Sequence, residues 1–187
     1  VSVYDEACAR ALPEIRSRIR IPLVADIHFS SRLAILALEN GADKVRINPG
    51  NIGGDDKVRA VADCARAHRA PIRIGVNSGS LPGDIREKYG VGSRALCESM
   101  LRSVGLLESF GFEDLVLSVK SSDVTTMVRS NRELAALTRY PLHLGVTEAG
   151  TPETGLVKSA VGIGALLLDG IGDTLRVSLT RDPVEEV

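Results

Sequence analysis

Short runs of β-branched and aliphatic residues alternate along the chain with longer segments in which apolar residues recur at helical spacing. The strand-like runs cover residues 22–26, 44–48, 71–77, 115–120, 142–147 and 174–179, and residues 1–3 resemble the stub of an earlier strand. Between these runs, helical faces are formed by Val58, Val61, Ala62 and Ala65, by Leu96, Met100, Val104 and Leu107, and by Val124, Met127 and Val128. The alternation predicts repeated βα units.

The residues expected to end and begin helices fit the same pattern. Gly41 and Gly111 stand where helices should stop, and Ser122 with Asp123 predicts the amino-terminal cap of a helix. Residues 161–164 (VGIG) lie in an apolar helical segment, where close helix packing explains the glycines, and residues 170–173 (GIGD) predict a turn before a strand.

Seven strand signals in alternation with helices predict an α/β fold, a TIM-type (β/α)8 barrel that lacks its first strand and helix in this chain. An open doubly wound sheet is the weaker interpretation, because no GxGxxG fingerprint follows a strand. The chain starts at Val1, and its last five residues read as the opening of a helix, so we expect a fragment comprising one partial domain over residues 1–187.

Composition excludes several classes of protein. Hydrophobic residues make up 44% of the 187 positions and charged residues 25%, which is typical of a folded globular domain. A net charge of −1 argues against a general nucleic-acid surface, and no apolar stretch is long enough to span a membrane. Cys8, Cys64 and Cys97 are far apart and form no CxxC pair, so we expect free thiols and no metal site in this chain.

Polar residues recur with a spacing of two in the predicted strands, although buried parallel strands are normally aliphatic throughout. The sets are Asp26 with His28, Arg46 with Asn48, Arg73 with Gly75 and Asn77, Ser118 with Lys120, and Arg176 with Ser178. Successive strand side chains alternate between faces, so each set points to one side. We expect that side to be the barrel interior, with the aliphatic residues of the same strands packed on helices.

Arg46, Arg73, Lys120 and Arg176 would bring four cations into this interior, against the carboxylates of Asp26 and Glu148. Uncompensated buried charge is costly, so the pattern indicates either ion pairing or a bound anion. Arginine forks match phosphate oxygens, which favours an anion such as a diphosphate. Internal salt bridges that only fill the barrel remain the alternative.

The loops after the strands carry further candidates on the same side of the barrel, where barrel enzymes place their sites. Glu148, next to Thr147, is the best candidate for a general acid or base, because a carboxyl group in a closed pocket can have a raised pKa. A helix-capping or loop-bracing role is the alternative. His28 fits a proton donor or a hydrogen-bond donor to an anion, and His143 is expected to be an interior residue.

Six blocks of sequence together resemble one known family. They are residues 24–29 (VADIHF), 45–53 (VRINPGNIG), 72–81 (IRIGVNSGSL), 118–123 (SVKSSD), 142–150 (LHLGVTEAG) and 170–179 (GIGDTLRVSL). In this order they are similar to the 4-hydroxy-3-methylbut-2-enyl diphosphate synthase family of the methylerythritol phosphate route to isoprenoids. The resemblance covers essentially the whole chain.

The resemblance implies an iron–sulfur oxidoreductase that opens the ring of 2-C-methyl-D-erythritol 2,4-cyclodiphosphate by two-electron reduction with loss of water. It implies substrate binding by Arg46, Arg73, Asn77, Lys120, Thr147 and Ser178, with Asp26 and His28 lining the same pocket and Glu148 as the acid or base that assists hydroxyl loss. Asn48 and Arg176 join the substrate-binding set.

The family's [4Fe–4S] cluster is held by three cysteines and a glutamate of a separate carboxy-terminal domain, which we expect to be absent from this chain. The cysteines here have neither the spacing nor the location of cluster ligands. The fragment alone should therefore be inactive. The resemblance further implies ferredoxin or flavodoxin as electron donor, a homodimer, and a location in the bacterial cytoplasm or the plastid stroma.

Two other functions remain open from the residues. A dihydropteroate synthase-like barrel enzyme shares the architecture and handles diphosphate chemistry without a cluster. A non-catalytic phosphate-binding module would use the same cations without turnover.

Overall fold

The computed structural model describes residues 1–186. In chain order its elements are α1 (Glu6–Arg10), α2 (Leu12–Arg18), β1 (Val24–Asp26), α3 (Ser31–Glu39), β2 (Lys44–Ile47), α4 (Pro49–Ile52), α5 (Asp55–His68), β3 (Ile72–Asn77), a 3-10 helix (Ser78–Ser80), α6 (Gly83–Tyr89), α7 (Ser93–Ser109), β4 (Leu115–Lys120), α8 (Val124–Leu137), β5 (His143–Leu144), α9 (Pro152–Leu168), β6 (Thr174–Leu175) and a 3-10 helix (Pro183–Glu186). These residues fall into two compact units, Val1–Gly75 with Arg102–Val116, and Val76–Leu101 with the chain from Leu117 onward.

The first unit is built on parallel strands that follow one another in chain order. β1 pairs with β2, and β2 pairs with β3, in registers that place Asp26 beside Arg46 and Arg46 beside Arg73. The predicted stub at residues 1–3 forms a parallel bridge from Ser2 to Asp26. The aliphatic face of these strands is buried, with Val45 and Ile47 fully inaccessible to solvent. The predicted alternation of strand and helix is confirmed here.

The second unit continues the parallel pattern. A bridge joins Leu117 to Leu142, and β5 pairs with β6. Both strands are shorter than predicted: β5 ends at Leu144 and β6 at Leu175. The backbone nevertheless stays bonded beyond β5, because the Thr147 N–H donates to the Ser121 carbonyl over 3.2 Å. The chain therefore keeps its path after Leu144 while losing regular strand geometry.

Leu175 corrects one expectation about the aliphatic face. It was expected to pack on helices, but it is 50% exposed. Within residues 1–186, β6 pairs only with β5, so one of its edges has no strand neighbour. Exposure of Leu175 fits that position at the edge of a sheet.

The predicted helix cap, helix ends and close glycine packing are largely confirmed. Asp123 caps α8, its carboxylate accepting from the Thr126 N–H over 2.7 Å. Gly41 and Gly111 follow α3 and α7 with φ of +88° and +69°, values that glycine adopts without steric cost. A Cβ at Gly162 of α9 would lie 2.7 Å from Met127 Cε, which confirms close packing there, whereas a Cβ at Gly164 would meet no atom within 4 Å.

No helix within residues 1–186 combines the length and the apolar character needed to cross a membrane.

Candidate functional site

The first unit carries a row of charged side chains across three neighbouring strands. The strand registers place Asp26, Arg46 and Arg73 next to one another on β1, β2 and β3. Arg46 Nη1 donates to Asp26 Oδ1 over 3.0 Å, and the two side chains are only 19% and 26% exposed. Charge-assisted bonds of this kind fix the direction of a side chain. Arg46 is thus ion-paired with a carboxylate. The sequence left ion pairing open as one of two explanations for the buried cations, and this residue shows it.

Lys44 adds a cation that the sequence interpretation did not include. It lies two residues before Arg46 and is half-buried. Burial lowers the pKa of its ammonium group, repulsion by Arg73 lowers it further, and Asp114 opposes both effects. The spacing of two that singled out Arg46 and Asn48 would have found Lys44 as well. The region where β2 meets β3 is therefore rich in positive charge.

Asn48 and His28 have clear local contacts in this unit. The Asn48 side chain is buried, and its Oδ1 accepts from the Gly50 N–H over 3.1 Å at the start of α4. The His28 ring stacks on Tyr4, with centroids 5.6 Å apart and planes 15° apart, and lies 6.1 Å from the Phe29 ring. Both neighbouring rings are mostly exposed. Asn48 braces a loop, and His28 belongs to an aromatic group.

In the second unit, Lys120 ends β4 and is half-buried beside Gly145. Ser178 and Asn77 are also half-buried. The Asn77 N–H donates to Ser80 Oγ over 3.4 Å, which ties the end of β3 to the 3-10 helix that follows. His143 is buried as expected, with Nδ1 2.8 Å from the Thr174 hydroxyl.

Arg176 has a carboxylate partner that the sequence interpretation missed. Its Nε and Nη2 each lie 3.3 Å from Glu186 Oε2, and the other oxygen of Glu186 accepts from the Leu179 N–H over 2.9 Å. The Arg176 side chain is 53% exposed. The ten-residue separation of the pair follows no local periodicity. Arg176, like Arg46, is ion-paired.

The loop after β5 places Glu148 in an unusual backbone conformation. Its φ is +50°, in the left-handed region that non-glycine residues rarely occupy. The side chain is exposed and not enclosed in the closed pocket that was expected, whereas Ala149 next to it is buried. Such conformations cost about 1–3 kcal/mol and cluster at functional sites. The backbone geometry therefore supports a special role for this position, independently of its carboxylate.

The cysteines do not fit an iron–sulfur cluster. Cys8, Cys64 and Cys97 are free thiols in α1, α5 and α7. Burial raises the pKa of Cys64, and burial chiefly, with help from Glu133, raises the pKa of Cys97 to about 12. Cluster ligation needs thiolates, which the environments of Cys64 and Cys97 disfavour. Within the described part of the chain, no three His, Cys, Asp or Glu residues form a group able to hold a metal ion.

Comparison with known proteins decides the family. The model of the GcpE TIM-barrel domain matches residues 1–187. The chain belongs to the GcpE family. This confirms the predicted barrel class and the family resemblance.

Curated relatives of this GcpE chain carry a functional name. The chain is 59% identical over 188 residues to the 4-hydroxy-3-methylbut-2-en-1-yl diphosphate synthase (flavodoxin) of Fusobacterium nucleatum subsp. nucleatum. The match covers 100% of this chain and 53% of that protein. The chain is 59% identical over 184 residues to the protein of the same name from Clostridium tetani, covering 98% of this chain and 52% of that protein. The chain spans about half the length of the curated relatives it matches.

Solved structures share the fold of this GcpE chain at low sequence identity. The carboxyl transferase domain of Rhizobium etli pyruvate carboxylase, with pyruvate and biocytin, superposes with a TM-score of 0.59 at 14% identity, covering 89% of this chain and 29% of that chain. The dihydropteroate synthase of Yersinia pestis gives a TM-score of 0.59 at 12% identity, covering 91% and 70%. These similarities concern the fold alone.

Proposed function

We propose that this chain is the substrate-binding barrel of a 4-hydroxy-3-methylbut-2-enyl diphosphate synthase. The substrate is 2-C-methyl-D-erythritol 2,4-cyclodiphosphate, and the reaction is its reductive ring opening with loss of water. The observation that carries the proposal is the 59% identity, across the whole chain, to curated relatives of that name. The cations on the strands supply the matching chemistry, because a cyclic diphosphate is an anion.

Arg46 and Arg73 of the first unit, and Lys120 and Arg176 of the second, are the residues that we assign to phosphate oxygens. Arg46 is paired with Asp26, and Arg176 is paired with Glu186. Each arginine can therefore bind an anion in two ways: it divides its N–H donors between the carboxylate and the anion, or it breaks its bond to the carboxylate. An arginine has five N–H donors, which allows one edge to hold a carboxylate while another binds phosphate. Ion pairing and anion binding are thus compatible in both residues.

Neutral side chains complete the proposed binding set. Asn77, Thr147 and Ser178 are half-buried and can donate hydrogen bonds to substrate oxygens. His28 and Asn48 are retained as lining residues, His28 as a hydrogen-bond donor and Asn48 as the brace of its loop.

Glu148 is the acid or base that we assign to the departing hydroxyl group. The supporting observation is its left-handed backbone in the loop after β5. A carboxylic acid at this position protonates the hydroxyl oxygen as the C–O bond breaks, so the group leaves as water.

Electron delivery is assigned to no residue of this chain, because its cysteines do not fit a cluster. We place the [4Fe–4S] cluster in a carboxy-terminal domain outside this segment, since the relatives are about twice as long. Flavodoxin, which stands in the names of the relatives, is the proposed donor in preference to ferredoxin. We further propose a homodimer, with a bacterial cytoplasmic location because these relatives are bacterial.

The gene-length protein, purified without oxygen, tests the proposal directly. We expect it to convert the cyclic diphosphate with reduced flavodoxin, whereas the isolated segment of residues 1–187 should show no turnover. Turnover of a pterin diphosphate instead would favour the dihydropteroate synthase-like alternative. Tight diphosphate binding without any turnover in the gene-length protein would favour a non-catalytic module.

Replacement of Arg73 tests the anion site. We expect Arg73→Ala to weaken binding of the cyclic diphosphate by about 1.5–3 kcal/mol, roughly 10- to 150-fold, because a hydrogen bond to a charged group is lost. Isothermal titration measures the change. Arg20→Ala removes an exposed arginine of the same unit and serves as the control. Equal affinity for Arg73→Ala and the control would remove Arg73 from the site.

A further inference from the structure

Two glycines interrupt the polar face of the strands where a side chain would be expected. Gly75 lies in β3, two residues after Arg73, and Gly145 directly follows β5. Glycine weakens a strand interior and often marks a place where another group approaches the backbone closely. In both cases the neighbouring group includes a cationic side chain from the adjacent strand.

At Gly75 the approaching group is the guanidinium of Arg46. A Cβ at position 75 would lie 2.6 Å from Arg46 Nη2 and 2.7 Å from Cζ, closer than real Cβ contacts allow. The opposite end of the same fork donates to Asp26 over 3.0 Å. The Arg46 guanidinium therefore reaches from the carboxylate on β1 to the bare backbone of β3.

The strand register explains why Arg46 needs this space. Arg46 and Arg73 are register partners on β2 and β3, and their side chains share one face. Like charges placed directly opposite each other are destabilising. Gly75, one step further along the same face, offers Arg46 a position over the backbone without a side chain to displace. The guanidinium thus lies over Gly75 instead of directly opposite Arg73.

A similar arrangement occurs in the second unit. The bridge between Leu117 and Leu142 puts Lys120 opposite Gly145 by register. A Cβ at Gly145 would lie 3.2 Å from Lys120 Cε and 3.4 Å from Nζ, and also 2.7 Å from the Arg176 carbonyl oxygen. The contact with rigid backbone makes Gly145 necessary for packing as well, so Gly75 offers the cleaner test.

We propose that Gly75 is a positioning residue, which sets the direction of the Arg46 guanidinium by leaving its own side of the strand empty, and that Gly145 does the same for Lys120. The proposal deepens the proposed function, since it takes Arg46 to be an anion-binding group. A methyl group at position 75 would push the guanidinium back toward Asp26. Arg46 would then pair with the carboxylate alone and would be withdrawn from the anion.

A double-mutant cycle separates positioning from a purely structural role. Gly75→Ala, Arg46→Ala and the double variant of the gene-length protein are titrated with inorganic pyrophosphate. We expect Gly75→Ala to weaken binding about tenfold or more, the size of loss expected when a hydrogen bond to a charged group is removed. In the Arg46→Ala background the same change should alter affinity by less than about twofold, because the side chain that it displaces is gone.

Gly105→Ala is the matched control, because it adds a methyl group in α7 of the same unit where no atom lies within 4 Å. If the losses from Gly75→Ala and Arg46→Ala multiply in the double variant, or if Gly75→Ala binds as tightly as the control, the positioning role is refuted while the proposed function stands. If the unaltered protein binds no pyrophosphate, the assignment of an anion site is wrong, and the positioning role of Gly75 is refuted together with it.

Folding provides a second readout for the same cycle. Should Gly75→Ala fail to fold, the clash predicts that adding Arg46→Ala restores a cooperative thermal transition, since the guanidinium that the methyl group meets has been removed. Failure of the double variant to recover would show that Gly75 serves the backbone and not Arg46, and would overturn the proposal.

Discussion

Replacement of Gly162 by alanine measures how tightly α9 packs in the second unit. A Cβ there would lie 2.7 Å from Met127 Cε, 3.1 Å from Val124 Cγ1 and 3.3 Å from Val146 Cγ2. The methionine methyl can move, but the two valines are stiff at χ1. Overpacking of this kind costs about 1–3 kcal/mol, whereas the better helix propensity of alanine returns about 1 kcal/mol. We expect a net loss of up to about 2 kcal/mol in the free energy of unfolding.

Gly164 in the same helix supplies the control, because a Cβ there would meet no atom within 4 Å. Gly164→Ala should gain about 1 kcal/mol from helix propensity alone. The two variants should therefore differ by about 1–3 kcal/mol, which corresponds to roughly 2–12 °C in Tm for a chain of this size. Thermal unfolding followed by far-ultraviolet circular dichroism measures the difference. Equal Tm values for the two variants would refute the close packing of α9 at Gly162.

Two further predictions concern Glu148 and Cys97. Glu148→Gly should be more stable than Glu148→Ala by about 1 kcal/mol in urea unfolding, because only glycine relieves the left-handed backbone at φ +50°; an equal stability of both variants would contradict that backbone. The raised pKa of Cys97, about 12 against an ordinary 9.0, gives stability that is present below pH 9 and is lost as the pH rises toward 12, by about 1.4 kcal/mol per pH unit. Cys97→Ala should therefore lose less stability than the unaltered chain between pH 9 and pH 11, and parallel profiles would show that this thiol does not titrate as inferred.

Most of the fold follows from residue pattern, because strands and helices of a βα repeat carry different hydrophobic periods. β4 begins and ends at the predicted residues, and Asp123 caps α8 as its position before an apolar helical face suggested. The early end of β5 could not be predicted in this way. The left-handed backbone four residues after the end of β5 falls on Glu148, a residue type that gives no sign of it.

The charges of the candidate site could likewise be predicted only in part from the residue pattern. The spacing of two identified the cations of the strands, since a side chain's face is a local property. Their partners are not local: Asp26 meets Arg46 through strand register, and Glu186 reaches Arg176 from ten residues further on. Residue pattern alone therefore overstated how much positive charge lacks a carboxylate.

Ion pairing changes what an anion must do in order to bind. An arginine already held by a carboxylate is pre-oriented, so less side-chain entropy is lost when a phosphate arrives. It also offers fewer open donors, and the carboxylate repels the incoming anion. Arg46 is subject to both the gain in pre-orientation and the loss of open donors. Asp26 holds one end of its guanidinium fork, and the other end lies over Gly75. If Arg46 binds the diphosphate as proposed, Nη1 stays with Asp26 and the edge of the fork over Gly75 must supply the phosphate contact. Affinity should then depend on the geometry at Gly75 as well as on the number of cations.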